Sequence, residues 1–288
     1  MSLSSNQLDA FSEIAKTGSF SKAAKNLALT QSALSQRIMN LEEELGTALL
    51  IRASTGIRTT AAGEELLRYC QSRANLETEC LSLLKQTRPG ALAGTIRIGG
   101  YSTVMRSLAL PSLANLLARY PELRLEIVTK EMRDLPGLLR TGATDYIFVD
   151  HPLEKRELES HLLGYEEYVL IESRAAQGNR DVIFDHDAED DTTFRFFETQ
   201  EKPAKKPNRS FLDEIYGIID GVALGLGRAV VPKHLIAVDK RVRTVSGLKT
   251  LLSPVYLACY QQSISTQLHQ AVMKRLIDDS KKLLRQKN

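Results

Sequence analysis

Gln31, Ser32, Ser35, Gln36 and Asn40 fall on one side of a segment whose other side is apolar, and none of the five is acidic. Short hydroxyls and carboxamides can hydrogen-bond base edges and phosphates without repelling a polyanion. The apolar side is Leu34, Ile38, Leu41 and Leu45, spaced by four, three and four residues, which is a helical stripe. Thr30 is placed to cap this helix by accepting a first-turn amide, and Gly46 to end it. The acidic run Glu42-Glu43-Glu44 comes later, where a helix lying in a major groove would be leaving the nucleic acid. Ahead of it Ala23, Ala24 and Leu27 share one face of a shorter helix. Two short helices joined by a tight turn, the second with a polar N-terminal outer face, are the signature of a helix-turn-helix. The competing reading is an ordinary helical hairpin packed on a core.

A second group able to do chemistry is Gly99-Gly100-Tyr101-Ser102-Thr103, between an apolar strand and a helix. The glycines would let the backbone approach a ligand. The free amides of the following helix, with two hydroxyls, would make a cradle suited to a carboxylate. A plain strand-to-helix turn capped by Ser102 or Thr103 accounts for the same residues. Ser102 also sits where a hydrolase nucleophile would, which is the enzyme alternative. Val104 stands where that motif needs its second glycine, and no downstream histidine has a setting that marks it as the base. Phosphate-cradling GxxxxGK[ST] and GxGxxG patterns are missing, so neither an enzyme nor a cofactor is expected. Asp185-His186-Asp187 with Glu189, Asp190 and Asp191 invites a metal reading. It lacks the central glycine and closing glutamate of a calcium loop, and an acidic surface turn without metal is expected.

These groups need elements to hold them. The chain has 288 residues, enough for more than one domain. With 43% hydrophobic and 25% charged residues, its composition is that of a soluble globular protein. A net charge of only +3 means that nucleic-acid binding must come from local placement of Lys22, Lys25, Arg37, Arg52 and Arg58. The stretch MSLSSNQLDAF has no basic region followed by an apolar run, and no run approaches the ~20 residues of a membrane span. Neither a secretory signal nor a membrane partner is expected. Three cysteines without metal-type pairing suit a reducing cytoplasm.

Leu8, Phe11, Ile14 and Ala15 give a first helix its apolar face. Residues 47–59 read as a two-stranded wing turning near Ser54-Thr55-Gly56. From Thr60 to about Lys85 a long helix carries Leu67, Cys70, Ala74, Leu81 and Leu84 in an interrupted seven-residue repeat. So thin an apolar content leaves it little to pack on within its own chain, which favours pairing of two chains. Arg88 to Gly94 is a hinge by composition. Beyond Thr95, TIRIGGY, LRLEIVTKE, DYIFVD, EYVLIES, DVIFDH, RAVVP and PVYLACY read as strands. Their alternation with helices indicates a mostly parallel sheet covered on both faces. Phe194 to Phe197 is either a strand or a short helix. Residues 199–209 read as a polar loop, FLDEIYGIIDGVALGLG as a helix, and 265–286 as a closing helix.

The first segment resembles the DNA-binding domain of LysR-type transcriptional regulators. The pattern runs through Leu8, Phe11, Gly18-Ser19-Phe20, Ala23-Ala24, Leu27, Thr30-Gln31, Ser35, Ile38, Leu41-Glu42, Leu45-Gly46, Leu49, Arg52, Thr60 and Gly63. Ser32, Leu50 and Thr55 depart from it, where proline, phenylalanine and a second wing arginine are usual. Length and order of parts extend the resemblance over nearly the whole chain. It implies an α/β multidomain protein, with a winged helix-turn-helix in 1–60, a linker and dimerisation helix in 61–88 and a hinge in 89–94. Residues 95–288 would form an effector-binding domain of the periplasmic-binding-protein kind, with one lobe from 95–163 and 255–288 and the other from 164–254.

It also implies a homodimer or homotetramer on double-stranded operator DNA, in the cytoplasm at the nucleoid, with RNA polymerase a partner if the protein activates. Gln31, Ser32, Ser35, Gln36 and Asn40 would face bases, while Thr30, Arg52 and Arg58 would hold phosphates. By family position Thr129, Phe148, Ser210 and Phe211 join Tyr101, Ser102 and Thr103 as contacts to a small effector between the lobes. TQSALSQRI followed by LLIR, with FDH and Asp190-Asp191, is closer to the arginine/lysine-responsive regulators of amino-acid export, so an amino-acid effector is the expectation.

Overall fold

The computed structural model describes residues 3–53, 56–84, 92–175, 179–200, 207–262 and 265–287. The expected wing turn at Ser54-Thr55, the end of the long helix (85–88), residues 89–91 of the hinge and residues 201–206 of the polar loop lie outside the described residues.

The head comprises α1 (Ser5–Thr17), α2 (Phe20–Asn26) and α3 (Gln31–Leu45), followed by the antiparallel strands β1 (Leu50–Ala53) and β2 (Gly56–Thr59). Leu8, Phe11, Ile14, Leu34, Ile38 and Leu41 bury together, each such side chain contributing about 1.5–3 kcal/mol. Ser19 caps α2 by accepting the Lys22 amide and Thr30 caps α3 by accepting that of Ala33, while α3 ends on the left-handed Gly46. The turn between α2 and α3 holds Ala28 at φ 53°. A residue with a β-carbon gives up about 1–2 kcal/mol there. In return the Leu29 amide reaches the Ala24 carbonyl at 2.9 Å, which fixes the angle between the two helices.

The long helix is α4 (Ala61–Leu84). Thr60 accepts the Gly63 amide and donates to the Ala48 carbonyl, tying the helix start to the segment before the wing. The expectation that α4 has little to pack on within its own chain is corrected. Leu67 and Cys70 are buried against the head core, and Arg73 pairs with Asp9. Glu64 pairs with Arg140, Gln71 donates to the Gly142 carbonyl, and the Arg68 guanidinium lies 4.5 Å from the Tyr260 ring centroid. Polar anchors do what the repeat could not, since long side chains reach across a gap that an apolar stripe cannot close. Tyr69, Leu76, Leu81 and Leu84 remain exposed.

The rest of the chain forms one sheet of nine strands among the described residues. In order come β3 (Gly94–Gly100), α5 (Ser102–Val104), a π-turn (Met105–Ala109), α6 (Leu110–Arg119), β4 (Leu123–Thr129), α7 (Leu135–Arg140), β5 (Tyr146–Val149) and β6 (Leu158–Ser173). Then follow β7 (Val182–Asp185), α8 (Thr192–Glu198), β8 (Asn208–Phe211), α9 (Ile215–Ala223), β9 (Arg228–Pro232), β10 (Val242–Thr244), β11 (Leu251–Tyr260) and α10 (Gln267–Lys287). Strand order is β4-β3-β5-β11-β6-β9-β7-β8, with β10 also on β6.

The sheet is mixed rather than mostly parallel. β3 runs parallel to β4 and β5, and β7 to β8 and β9. β11 is antiparallel to β5 and β6, and β6 to β9 and β10. Alternating strands and helices mark the crossover pairs but not the two long return strands that join the halves. The segment at Phe194 to Phe197 is helical. Asn208 to Phe211 is a strand where a loop and a helix start were expected; β-branching is absent there, and pairing to β7 overrides propensity.

A β-carbon added at Gly63 would lie 2.1 Å from the Leu49 carbonyl oxygen, a backbone atom that cannot move alone. Gly63→Ala should therefore lower the stability of the head by about 1–3 kcal/mol, read as an earlier unfolding transition in a denaturant melt. An unchanged melt would mean that α4 does not approach the wing so closely.

Candidate functional site

The capped start of α3 presents the expected polar face. Gln31, Ser32, Gln36 and Asn40 are exposed and Ser35 is half-buried, all on the side away from Leu34, Ile38 and Leu41. Ser21 donates to Gln31 Oε1 at 3.0 Å and Gln36 Nε2 to Asn40 Oδ1 at 2.8 Å. These contacts orient the amides and leave the Gln36 carbonyl and the Asn40 amide hydrogens outward. Thr30 accepts the Ala33 amide as the cap and shares a 3.1 Å hydrogen bond with Ser32 Oγ in which either hydroxyl can donate; when Ser32 donates, the Thr30 proton is left for a phosphate. Glu42 does not point into this surface. It accepts the Leu49 and Leu50 amides and anchors the wing.

In the wing, Arg52 pairs with Ile57 and Arg58 with Ile51, so the two arginines project from opposite faces of the ribbon. Arg52 lies 5.8 Å from the Phe20 ring centroid, turned toward the start of α2. Sequence reasoning passed over Met39, exposed on the reading helix, which periodicity alone marks as outward.

The second site is a cleft of about 560 Å³ between the two halves of the sheet. One wall carries Tyr101, Ser102, Thr103 and Thr129, as expected, with Lys130 to Arg133 and Asp150. The helical run that starts at Ser102 offers its free first-turn amides here and takes a π-turn at Met105–Ala109. Thr103 is 6% exposed, and its Oγ1 has no hydrogen-bond partner among the described residues. The facing wall is the β7–α8 segment His186 to Thr192, with Arg195 and Asp213 to Ile215. Tyr168, Val230, Pro232, Leu251 and Ser253 complete the lining.

Three expected contacts are elsewhere. Phe148 is fully buried in the core under β3. Ser210 and Phe211 lie on the edge strand β8 outside the lining, with Phe211 half exposed and its ring beside Arg209. They were expected at a helix start, and a strand turns them away. The glycine pair is also reassigned. β-carbons at Gly99 and Gly100 would collide with Leu138 and Met105, so these residues are small for packing and not for ligand approach.

The acidic segment is the exposed turn that was expected, and it also forms a wall of the cleft. Arg209 pairs with buried Asp185 and donates to the carbonyls of Asp187, Ala188 and Asp190. Asp187 accepts the Glu189 and Asp190 amides, and Asp190 those of His186 and Thr192. Asp187 and Asp190 are thus held in place. The lining contains eight carboxylates (Glu131, Asp150, Asp187, Glu189, Asp190, Asp191, Asp213, Glu214) against Lys130, Arg133 and Arg195. Burial, and then the nearby charge of Glu166, push the Tyr101 and Tyr168 phenols well above their usual range. Tyr101 donates to Glu166 at 3.2 Å at the cleft floor. Among the described residues no cluster of histidine, cysteine and acidic groups is placed to hold a metal ion, and no helix is long and apolar enough to cross a membrane.

A winged helix-turn-helix on a long helix, joined to a two-lobed α/β domain with a charged cleft, defines a DNA-binding regulator that responds to a small molecule. The description "Bacterial regulatory helix-turn-helix protein, lysR family" matches residues 5–64, and "LysR substrate binding domain" matches residues 89–280. The chain belongs to the LysR family of transcriptional regulators.

It is 29% identical to the HTH-type transcriptional regulator YofA of Bacillus subtilis over 81% of this chain and 83% of that protein. It is 34% identical to ShiR of Corynebacterium glutamicum over 57% of this chain and 56% of that protein. In fold it is similar to ArgP from Mycobacterium tuberculosis, with a TM-score of 0.79 at 21% identity, covering 97% of this chain and 98% of that one. It is also similar to LysG from Corynebacterium glutamicum solved with bound effector Arg, with a TM-score of 0.73 at 20% identity, covering 96% and 98%.

Gln36→Ala should cost about 1–3 kcal/mol on the specific operator and little on random DNA, measured by anisotropy titration. Equal loss on both would reject its role in reading bases. Arg52→Ala should weaken all sequences together and lower the salt slope by about one unit. An unchanged slope would place Arg52 off the phosphates.

Proposed function

We propose that this regulator senses an amino acid with a cationic side chain, bound in the cleft between the lobes. The observation that carries this is that six of the eight carboxylates of the cleft (Asp187, Glu189, Asp190, Asp191, Asp213 and Glu214) stand on the second-lobe wall, and two (Glu131 and Asp150) on the first. On one side, free helix amides, Ser102 and the unpartnered Thr103 hydroxyl suit an α-carboxylate, with Lys130 beside them. On the other, the fixed carboxylates of the β7–α8 segment suit an ammonium or guanidinium group. The bound Arg of LysG is consistent with this reading. Ser102 as a hydrolase nucleophile would need a base, and among the described residues no histidine hydrogen-bonds it.

The lobes divide, in this reading, at 163/164 and 254/255, supported by the register shift between Val255 and Tyr256 opposite Gly164. Two chains pair through the exposed face of α4, as a homodimer or a tetramer of two such pairs, in the cytoplasm on chromosomal DNA. RNA polymerase is the further partner if the bound state activates. Gln31, Ser32, Ser35, Gln36 and Asn40 face the bases, while Thr30, Arg52 and Arg58 steady the phosphates.

Calorimetry of the full chain should give saturable binding of L-arginine or L-lysine, with L-citrulline and L-glutamate weaker by at least about tenfold, since each loses or reverses a charge at the acidic wall. Binding of citrulline as tight as arginine would sink the assignment. Leu81→Asp, on the exposed face of α4, should shift sedimentation toward monomer; an unchanged oligomer would move the pairing surface elsewhere.

A further inference from the structure

One guanidinium already occupies the acidic wall. Arg133, on the turn Met132–Asp134 after β4, reaches across the cleft from the first lobe. It pairs with Glu189 and lies 3.9 Å from Asp187, both in the second lobe. The wall cannot retreat from it, because Arg209 and the side-chain-to-amide hydrogen bonds of Asp187 and Asp190 hold the segment in place. Arg195 makes a second crossing in the opposite sense, from the second lobe to Asp150 of the first, at 3.9 Å. Arg195 is also tied to Asp191 on its own helix, and is the more enclosed of the two. The Arg133 side chain is 56% exposed, and Glu189 is 74% exposed. A bridge so open to water is screened and weak, and a competing cation can displace it.

We propose that Arg133 is a tethered competitor for the effector. In the ligand-free protein its guanidinium fills the subsite that the effector's cationic side chain takes, and binding requires it to swing out. Arg133 thereby sets the concentration at which the regulator responds, and it favours ligands whose cation outcompetes a guanidinium for Asp187 and Glu189. This rests on the cationic-effector reading and goes further, since it assigns a basic residue in an acidic site the role of opposing the ligand. The fraction of molecules with the subsite free multiplies the intrinsic affinity. A surface pair at the strong end of its range reduces that affinity about fivefold.

The test is calorimetric titration of L-arginine and L-citrulline into the full-length wild type, Arg133→Gln and Arg133→Lys, with thermal melts confirming that all three fold. Arg133→Gln should bind arginine about fivefold more tightly, with citrulline gaining by the same factor because either ligand needs the subsite empty, and Arg133→Lys should stay near wild type because it keeps a competing cation. Arginine affinity that is unchanged in Arg133→Gln overturns the proposal. So does weaker binding, which would make Arg133 a clamp for the ligand carboxylate. If neither wild type nor Arg133→Gln binds arginine, the cationic-effector reading itself fails and takes this inference with it. Wild-type binding with no gain in the variant defeats the competitor role alone.

Discussion

Both lobes hang on two shared strands. β6 and β11 pair antiparallel from Leu251 opposite Tyr168 to Tyr260 opposite Leu158, and each strand runs through both halves of the sheet. The lobes cannot part without breaking that ladder, whose exposed amides and carbonyls would then lack partners. What the ladder permits is bending where its register already shifts, between Val255 and Tyr256. Gly164 opposes Val255, with φ 154°, and Leu284 of α10 fills the space that a side chain there would need. The cleft is lined by Tyr168, Leu251 and Ser253 of the same two strands, a few residues from this joint. Glu166, two residues along β6, receives the Tyr101 hydroxyl from the first lobe and lies 3.7 Å from His234 of the second. The floor of the cleft is thereby stitched while its mouth can open.

The same strands give the cleft a route to the head. Tyr260 is the last residue of β11, and Arg68 of α4 both stacks on it and hydrogen-bonds its hydroxyl. The other anchors of α4, at Arg140, Gly142 and the start of α10 through Glu79, also lie in the first lobe. A rotation of β11 about the bulge therefore moves the surface on which α4 rests. Because Leu67 and Cys70 of α4 are built into the core of the head, helix and head move together. Polar, partly exposed anchors suit this, since their partners can be exchanged at low cost.

Much of this was legible in the sequence where local chemistry and global packing agree. Thr30, the stripe Leu34, Ile38 and Leu41, and Gly46 state a capped amphipathic helix without ambiguity, and the polar face follows from the helical period. Tyr101, Ser102 and Thr103 were legible at the cleft because a strand end leading to a helix start must lie at the sheet's carboxyl edge, whereas Thr129 came from the family resemblance. Phe148 was not. Alternation along a strand tells two faces apart only when one is polar, and YIFV is apolar throughout. Ser210 and Phe211 were misread because β8 is held by its pairing with β7 rather than by its own residues. The acidic segment is the surface turn that was expected, and sequence distance conceals only what fixes it at the cleft. Arg209 folds back on it from more than twenty positions away, and so turns a repelling cluster into a fixed wall.

The placement of charge, more than its total, explains how a ligand could move this molecule. In a chain of net charge +3 the cleft lining carries more carboxylates than cations, so whole-chain charge does not describe that surface. A ligand shifts the balance between open and closed arrangements only by as much as it binds one more tightly than the other. A singly charged ligand can be satisfied by one wall and would leave the joint indifferent. In the proposed reading a zwitterion with a cationic side chain places its carboxylate on the first lobe and its cation on the second, and both contacts exist together only when the walls are near. Its affinity is then concentrated in the closed arrangement. Arg133, which bridges the same gap in the ligand's absence, narrows that difference. In the proposed reading the effector gains over it through a second contact, its carboxylate at Ser102 and Thr103, which a tethered guanidinium cannot make.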